Sequence, residues 1–177
     1  VTKHIIGLTY SQSFFDGKMQ NIFFAKDYVN HPNIRQTDQS TVTGSDKVQG
    51  STTKNYFGYG TGLRYMFFDP LAVKVSYEHS VRLPIARELL GNGTTIYANV
   101  ALKPEKSNNV NLALFGTWHP AGRHTIYYEA NGFLRYVDNY IQTSVIEKEG
   151  MMQFVNDPAV HIKGVEGEIR YDWDGRL

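Results

Sequence analysis

The sequence predicts an all-β chain, an antiparallel meander of about 7–8 long strands forming part of a transmembrane β-barrel, with short turns on one side and long loops on the other. Three observations carry this expectation. Tight turns alternate with long polar connections, aromatic residues collect just before the tight turns, and the segments between them alternate apolar and polar residues. Phe14-Phe15 precede Asp16-Gly17, Phe67-Phe68 precede Asp69-Pro70, Trp118 precedes His119-Pro120-Ala121-Gly122, and Trp173 precedes Asp174-Gly175. The long excursions fall at 29–55, 83–106 and 141–159.

Seven strands are expected over 3–15, 18–29, 55–68, 71–82, 106–118, 123–142 and 159–173, with an eighth beginning at the end of the chain. In the first hairpin Ile6, Leu8 and Tyr10 share a face, although 18–29 alternates poorly. Asp-Gly at 16–17 and again at 174–175 suits a type I′ hairpin, because both residues tolerate positive φ. Stretch 30–54, rich in Asn, Ser, Thr and Gln, lacks any periodicity that could bury a face and reads as a surface loop. Along 72–82, Val73, Val75, Tyr77 and Val81 oppose Lys74, Ser76, Glu78 and Arg82. Ile85–Leu90, before Gly91, suits one or two helical turns inside the second loop. The next strand sets Val110, Leu112, Leu114 and Trp118 against Asn109, Asn111 and Thr117. In 123–137, Ile126, Tyr128, Ala130, Gly132, Leu134 and Tyr136 oppose Thr125, Glu129, Asn131 and Arg135. In 160–173, Val165, Ile169, Tyr171 and Trp173 oppose Glu166, Glu168, Arg170 and Asp172. Period two over such lengths fits tilted spanning strands of about 9–11 residues.

Composition narrows the function. The 177 residues are 41% hydrophobic and 20% charged with net charge +1, which argues against disorder and against a basic nucleic-acid-binding face. The longest apolar runs are four residues, such as Ile22–Ala25, whereas a spanning helix needs about 20. A barrel strand escapes that test by showing lipid only every second residue. The chain has no cysteine, so disulfide and thiolate chemistry are absent from it. The six histidines are scattered without metal-ligand spacing, and no nucleophile elbow or phosphate-binding Gly loop occurs, so neither a metal, a cofactor nor an enzymatic activity is expected. The carboxylates of 166–172 repeat every second residue and read as one solvated face, not as paired catalytic acids. Ligand contact is more plausible at the loops. The candidates are Arg82, Arg87, Glu88 and Tyr97 in the second loop and Met151, Met152 and Phe154 in the third. Both chain ends read as cut.

A longer pattern then bears on family. Val75-Ser76-Tyr77-Glu78-His79-Ser80-Val81-Arg82-Leu83-Pro84, followed by Ala86-Arg87-Glu88-Leu89-Leu90-Gly91 and by Asn99-Val100-Ala101-Leu102-Lys103-Pro104-Glu105-Lys106-Ser107, resembles the TonB-dependent outer-membrane receptors. Tyr136–Ile141 and Ile162–Glu168 are similar to the family's following strands. Asn99-Val100-Ala101-Leu102 departs from the more usual Asn-Pro-x-Leu. Pro84 and Lys103-Pro104 force extended backbone on the residues before them, so they read as strand exit and re-entry.

The resemblance implies that residues 1–177 are a partial outer-membrane β-barrel domain, lacking the plug domain and remaining strands of a barrel of about 22 strands. It implies residence in the outer membrane of a Gram-negative bacterium and energy-coupled uptake of a scarce nutrient: an iron chelate, haem, cobalamin or an oligosaccharide. The implied partners are that extracellular ligand, outer-membrane lipid, and an inner-membrane energy-coupling complex acting through the N-terminal plug. The rival expectation is a small autonomous outer-membrane barrel acting as adhesin or structural anchor. A cut wall would have open edges, so the isolated fragment is expected to self-associate.

Overall fold

The computed structural model describes residues 2–31, 33–37, 47–51, 53–121, 123–146 and 150–173. In chain order these form β1 (Thr2–Phe14), β2 (Met19–His31), β3 (Asn33–Thr37), β4 (Lys47–Ser51), β5 (Lys54–Phe68), β6 (Leu71–Arg82), α1 (Ala86–Leu90), β7 (Ile96–Tyr97), β8 (Glu105–Ala121), β9 (His124–Ile146) and β10 (Met151–Trp173). One eight-stranded sheet runs in the order β1-β2-β5-β6-β8-β9-β10-β7, and β3 and β4 make a separate hairpin. The main strands pair antiparallel in chain order, which is the expected meander. The two-residue β7 alone pairs parallel, at Met152 and Gln153 of β10. Among the described residues β1 pairs only with β2, and β10 only with β9 and β7, so the sheet is open.

The first turn forms as its residues dictate. Asp16 (φ 53°) and Gly17 (φ 87°) take the left-handed values of a type I′ turn, and the Lys18 amide donates to the Phe15 carbonyl at 3.1 Å. Phe15 is also left-handed, at φ 54°, which Asp-Gly alone does not foretell. The matching turn expected at 174–175 lies outside the described residues, as does Gly122 of the third. At the second turn β5 and β6 carry a bulge between Met66 and Phe68.

The strand register sorts the two faces. Leu63, Val75, Leu112, Gly132 and Val165 line up across five strands on one face, with Leu114 and Ile169 beside them. This face is bare: Val165 and Ile169 are 84% and 81% exposed, and among the described residues no large side chain is fully buried. A soluble barrel would turn such residues into a filled core, whereas a membrane wall turns them to lipid. The opposite, concave face carries Arg64, Lys74, Ser76, Glu78, Asn109, Asn111, Glu129, Glu166 and Glu168. On that face β2 side chains pack over a glycine run in β5. A Cβ at Gly60 would meet the Phe24 ring at 2.4 Å and the Tyr77 carbonyl at 2.7 Å, so only glycine lets Phe24 lie flat on the wall.

Aromatic residues mark both borders of the apolar face. Phe14, Phe67, Phe68, Trp118 and Trp173 are exposed at the turn end. Towards the loop end a second belt holds Phe57 and Tyr59 (5.9 Å), Tyr59 and His79 (5.4 Å), and Tyr136 and His161 (4.8 Å). Phe57 and Phe67 on β5, like Asn108 and Trp118 on β8, are about ten residues apart, roughly 33 Å along a strand. Phe14 is level in register with Leu114 of β8, four residues short of Trp118. Bringing Phe14 and Trp118 to one bilayer face therefore needs a tilt of about 35°, inside the range of barrel walls. With that tilt the belts stand about 27 Å apart, close to the apolar band of outer-membrane barrels.

Two expectations need correction. The excursion at 141–159 is not a loop: β9 and β10 stay paired from Ile141↔Asn156 up to Ile146↔Met151, so the wall continues beyond the membrane as a hairpin. Stretch 30–54 is also not wholly irregular, since β3 and β4 pair within it from Asn33↔Ser51 to Thr37↔Lys47.

Candidate functional site

The second long connection, 83–104, is built into a shelf at the loop end of the concave face. Its root is Arg82, the last residue of β6, which lies directly opposite Glu105, the first of β8. The Arg82 guanidinium donates twice to Glu105, from Nε to Oε2 at 2.6 Å and from Nη2 to Oε1 at 2.8 Å. Its Nη1 donates to Glu88 Oε1 and Oε2 at 2.9 and 3.2 Å. A planar fork of fixed donors is what lets one side chain hold two carboxylates. Each carboxylate also accepts from the backbone: Glu88 from the Ile85 amide at 2.9 Å, starting α1, and Glu105 from the Ile141 amide of β9 at 2.8 Å. The clamp thus joins two wall strands, the helix and the outer hairpin.

This cluster lies beyond the second aromatic belt, outside the lipid layer. Glu88 and Glu105 are buried. Burial pushes the Glu105 carboxyl up, but hydrogen bonds from Arg82 and the Ile141 amide, with the Arg82 charge, hold it below the usual carboxylate range. The same bonds, Glu105 first, push the Arg82 guanidinium further up.

From this root the shelf is pinned on both flanks. Asn92 Oδ1 accepts from the amides of Thr94, Thr95 and Ile96, closing a tight turn after α1. Towards β10, Asn99 Nδ2 donates to the Phe154 carbonyl and Gln153 Nε2 to the Ala98 carbonyl, both at 2.8 Å. Asn156 accepts from the Lys103 amide at 2.8 Å and donates back to its carbonyl at 3.0 Å. Leu89, Leu102 and Ile141 form a small buried core, with Phe154 against it. Towards β1, Lys3 Nζ reaches across to the Pro84 carbonyl at 2.6 Å.

The candidates picked from sequence therefore separate. Arg82 and Glu88 are together and engaged with each other. Phe154 packs beneath the shelf. Tyr97 is half-buried on β7, beside Gln153. Arg87 is exposed on α1, Met152 is 45% exposed near the hairpin tip, and Met151 beside it is half-buried. Arg87, Tyr97, Met151 and Met152 thus lie outside both the clamp and the small buried core. Sequence reasoning gave Glu105 only a re-entry role, quoted Asn99 only as part of the family pattern, and passed over Lys3, Gln153 and Asn156. The signal for Glu105 was present, since Arg82 and Glu105 bracket the insert of the pattern. Gln153 and Asn156 carried none, because their partners are backbone atoms distant in sequence. Among the described residues no group of carboxylates and histidines is arranged to hold a metal.

A protein-family model for the TonB-dependent receptor-like β-barrel matches residues 10–177. The chain belongs to that family. No curated protein matches it. Solved structures with the same fold include the Serratia marcescens hemophore receptor HasR in complex with its hemophore HasA and heme, at 16% identity and a TM-score of 0.73, and the copper transporter OprC, at 17% and 0.69. The alignments cover 96% and 97% of this chain but only 32% and 26% of those proteins, so this wall spans about a third or less of their length. The Arg82, Glu88 and Pro104-Glu105 stretch that carries the resemblance thereby gains a physical reading in this chain: it is the clamp that seats the insert.

Proposed function

We propose that this chain is part of the barrel of an outer-membrane receptor for energy-coupled uptake of a scarce nutrient in a Gram-negative bacterium. The observation that carries this is the pairing of a two-belted lipid face with a polar concave face under a seated shelf, in a chain of the TonB-dependent receptor-like family. In the small-barrel alternative an eighth strand following β10 would pair with β1; the match of the TonB-dependent receptor-like β-barrel family over residues 10–177 favours the large barrel instead. Its partners are outer-membrane lipid along the bare face, an extracellular ligand at the shelf, and an inner-membrane coupling complex acting through a plug. The solved relatives engage heme with a hemophore in one case and copper in the other, which adds copper to the iron chelate, haem, cobalamin and oligosaccharide classes as cargo to test. The ligand-facing residues are Arg87, Tyr97, Met151 and Met152, with Arg82, Glu88 and Phe154 holding them in place.

The test is uptake by the full-length receptor in whole cells, screened over those five cargo classes. An R87A/Y97A receptor should reach normal levels in the outer membrane and lose at least about tenfold in apparent affinity, the size expected of one or two lost polar contacts. Unchanged uptake by that variant would remove the shelf from ligand binding. Absence of the receptor from the outer membrane would remove the whole reading.

A further inference from the structure

Lower on the concave face, near the turn end, two cations have no carboxylate partner among the described residues. Arg64 of β5 and Lys74 of β6 stand directly opposite each other in the ladder, so two cations share one cross-strand position. Like charges so placed are destabilising. Among the described residues neither is paired with a carboxylate. The contrast is close by: Lys26, on the same face, is paired with Glu78 at 3.3 Å. Arg64 is held in position by the Phe115 ring, over which its guanidinium sits at 5.6 Å. The two cations border a concavity of about 690 Å³ whose walls also include Ser11, Ser13, Gln20 and Phe115.

The charged groups of this lining are all cationic, beside the apolar Ile22, Leu63 and Phe115. Arg64 and Lys74 only donate hydrogen bonds, two serine hydroxyls and the Gln20 amide can donate as well, and the lining has no carboxylate. A wall that bears the repulsion of an unpaired cation couple, with one cation stacked in a fixed pose, is suited to a group that neutralises both. We propose that Arg64 and Lys74, with Ser11, Ser13 and Gln20, form a subsite for a small oxyanion, a carboxylate or phosphate, on the lumen wall near the turn end. The guanidinium would take two oxygens in its fork and the ammonium a third. This goes beyond the uptake reading and requires only that the concave face be wet. Its failure is therefore separable from failure of the shelf as a ligand site.

The experiment is thermal unfolding of the purified full-length receptor in detergent, with inorganic phosphate titrated against chloride at constant ionic strength. Lys74 is the residue to change, because among the described residues it makes no hydrogen bond or ion pair whose loss would disturb the fold. A rise of about 2 °C or more with phosphate, absent in Lys74→Gln and kept in Lys74→Arg, would show a free oxyanion in the subsite. No phosphate response, with Lys74→Gln melting lower than the parent and Lys74→Arg matching it, would show the subsite filled by a carboxylate from another part of the protein. No phosphate response with Lys74→Gln melting at or above the parent would overturn the proposal, since only relief of repulsion would then be seen.

Discussion

Two groups of charged residues on the same concave face behave differently. At the loop end, Arg82, Glu88 and Glu105 are locked together, and the carboxylates accept from the amides of Ile85, just before α1, and Ile141 of β9. Lower down, Arg170 bonds Glu168 of its own strand at 2.5 Å and lies over the Tyr127 ring at 5.2 Å. Glu129 accepts from Tyr127 and stands opposite Glu168 in the ladder. The residue types are alike, but Glu88 and Glu105 are buried whereas the Glu168 and Arg170 side chains are 52% and 61% exposed. Water already serves the lower group, so its ion pair adds little. Buried carboxylates have no such alternative, and they depend on Arg82. Burial, not charge pattern, separates a structural clamp from a wetted surface.

The strongest way to break this comparison is to remove the cation from the clamp. Arg82→Gln in the full-length receptor leaves two buried carboxylates without their shared cation, at a cost of about 2 kcal/mol after allowing for the partial exposure of Arg82. Hydrogen exchange of the amides in 85–103 should then quicken by roughly 30-fold while those of 107–111 in β8 stay protected. Equal rates before and after the change would show that the shelf does not depend on Arg82.

Acid should sharpen the same contrast. The folded Glu105 carboxyl titrates below its unfolded value, so its contribution is complete above the ordinary carboxylate range and is lost as pH falls through the lowered folded value. Exchange in 85–103 is therefore expected to rise below about pH 4. A shelf equally protected at pH 7 and pH 3 would contradict the assignment.

The smallest effect belongs to the lower pair. Glu168→Gln should change receptor stability by no more than about 0.5 kcal/mol, read as an unchanged melting temperature. A loss matching that of Arg82→Gln would erase the distinction.

Much of the wall was legible in the sequence because the membrane imposes period two directly on it. Val73–Val81, Val110–Trp118 and Ile126–Tyr136 show it plainly, and Asp16-Gly17 announces its turn by conformational preference alone. Above the membrane that signal fades. Gln142, Thr143 and Ser144 are exposed to water and carry no alternation, yet they pair with Val155, Phe154 and Gln153. β3 and β4 escaped notice because 33–37 and 47–51 are short and carry no apolar–polar alternation in the sequence. The shelf was half legible. Ile85–Leu90 had helical character, and the family pattern named Arg82, Glu88 and Glu105. That these three meet depends on a register linking positions 82 and 105, which no local window contains.

The most direct test of the account is the sidedness of the wall in living cells. Single cysteines at Arg87, on the shelf, and at Asp16, in the first turn, would be introduced into the full-length receptor cleared of any other accessible thiol. A membrane-impermeant maleimide is then applied to intact cells. The account predicts labelling at position 87 in intact cells and at position 16 only after the outer membrane is opened. Equal labelling of both in intact cells, or recovery of the receptor in the soluble fraction, would contradict a wall that spans the outer membrane between its two aromatic belts.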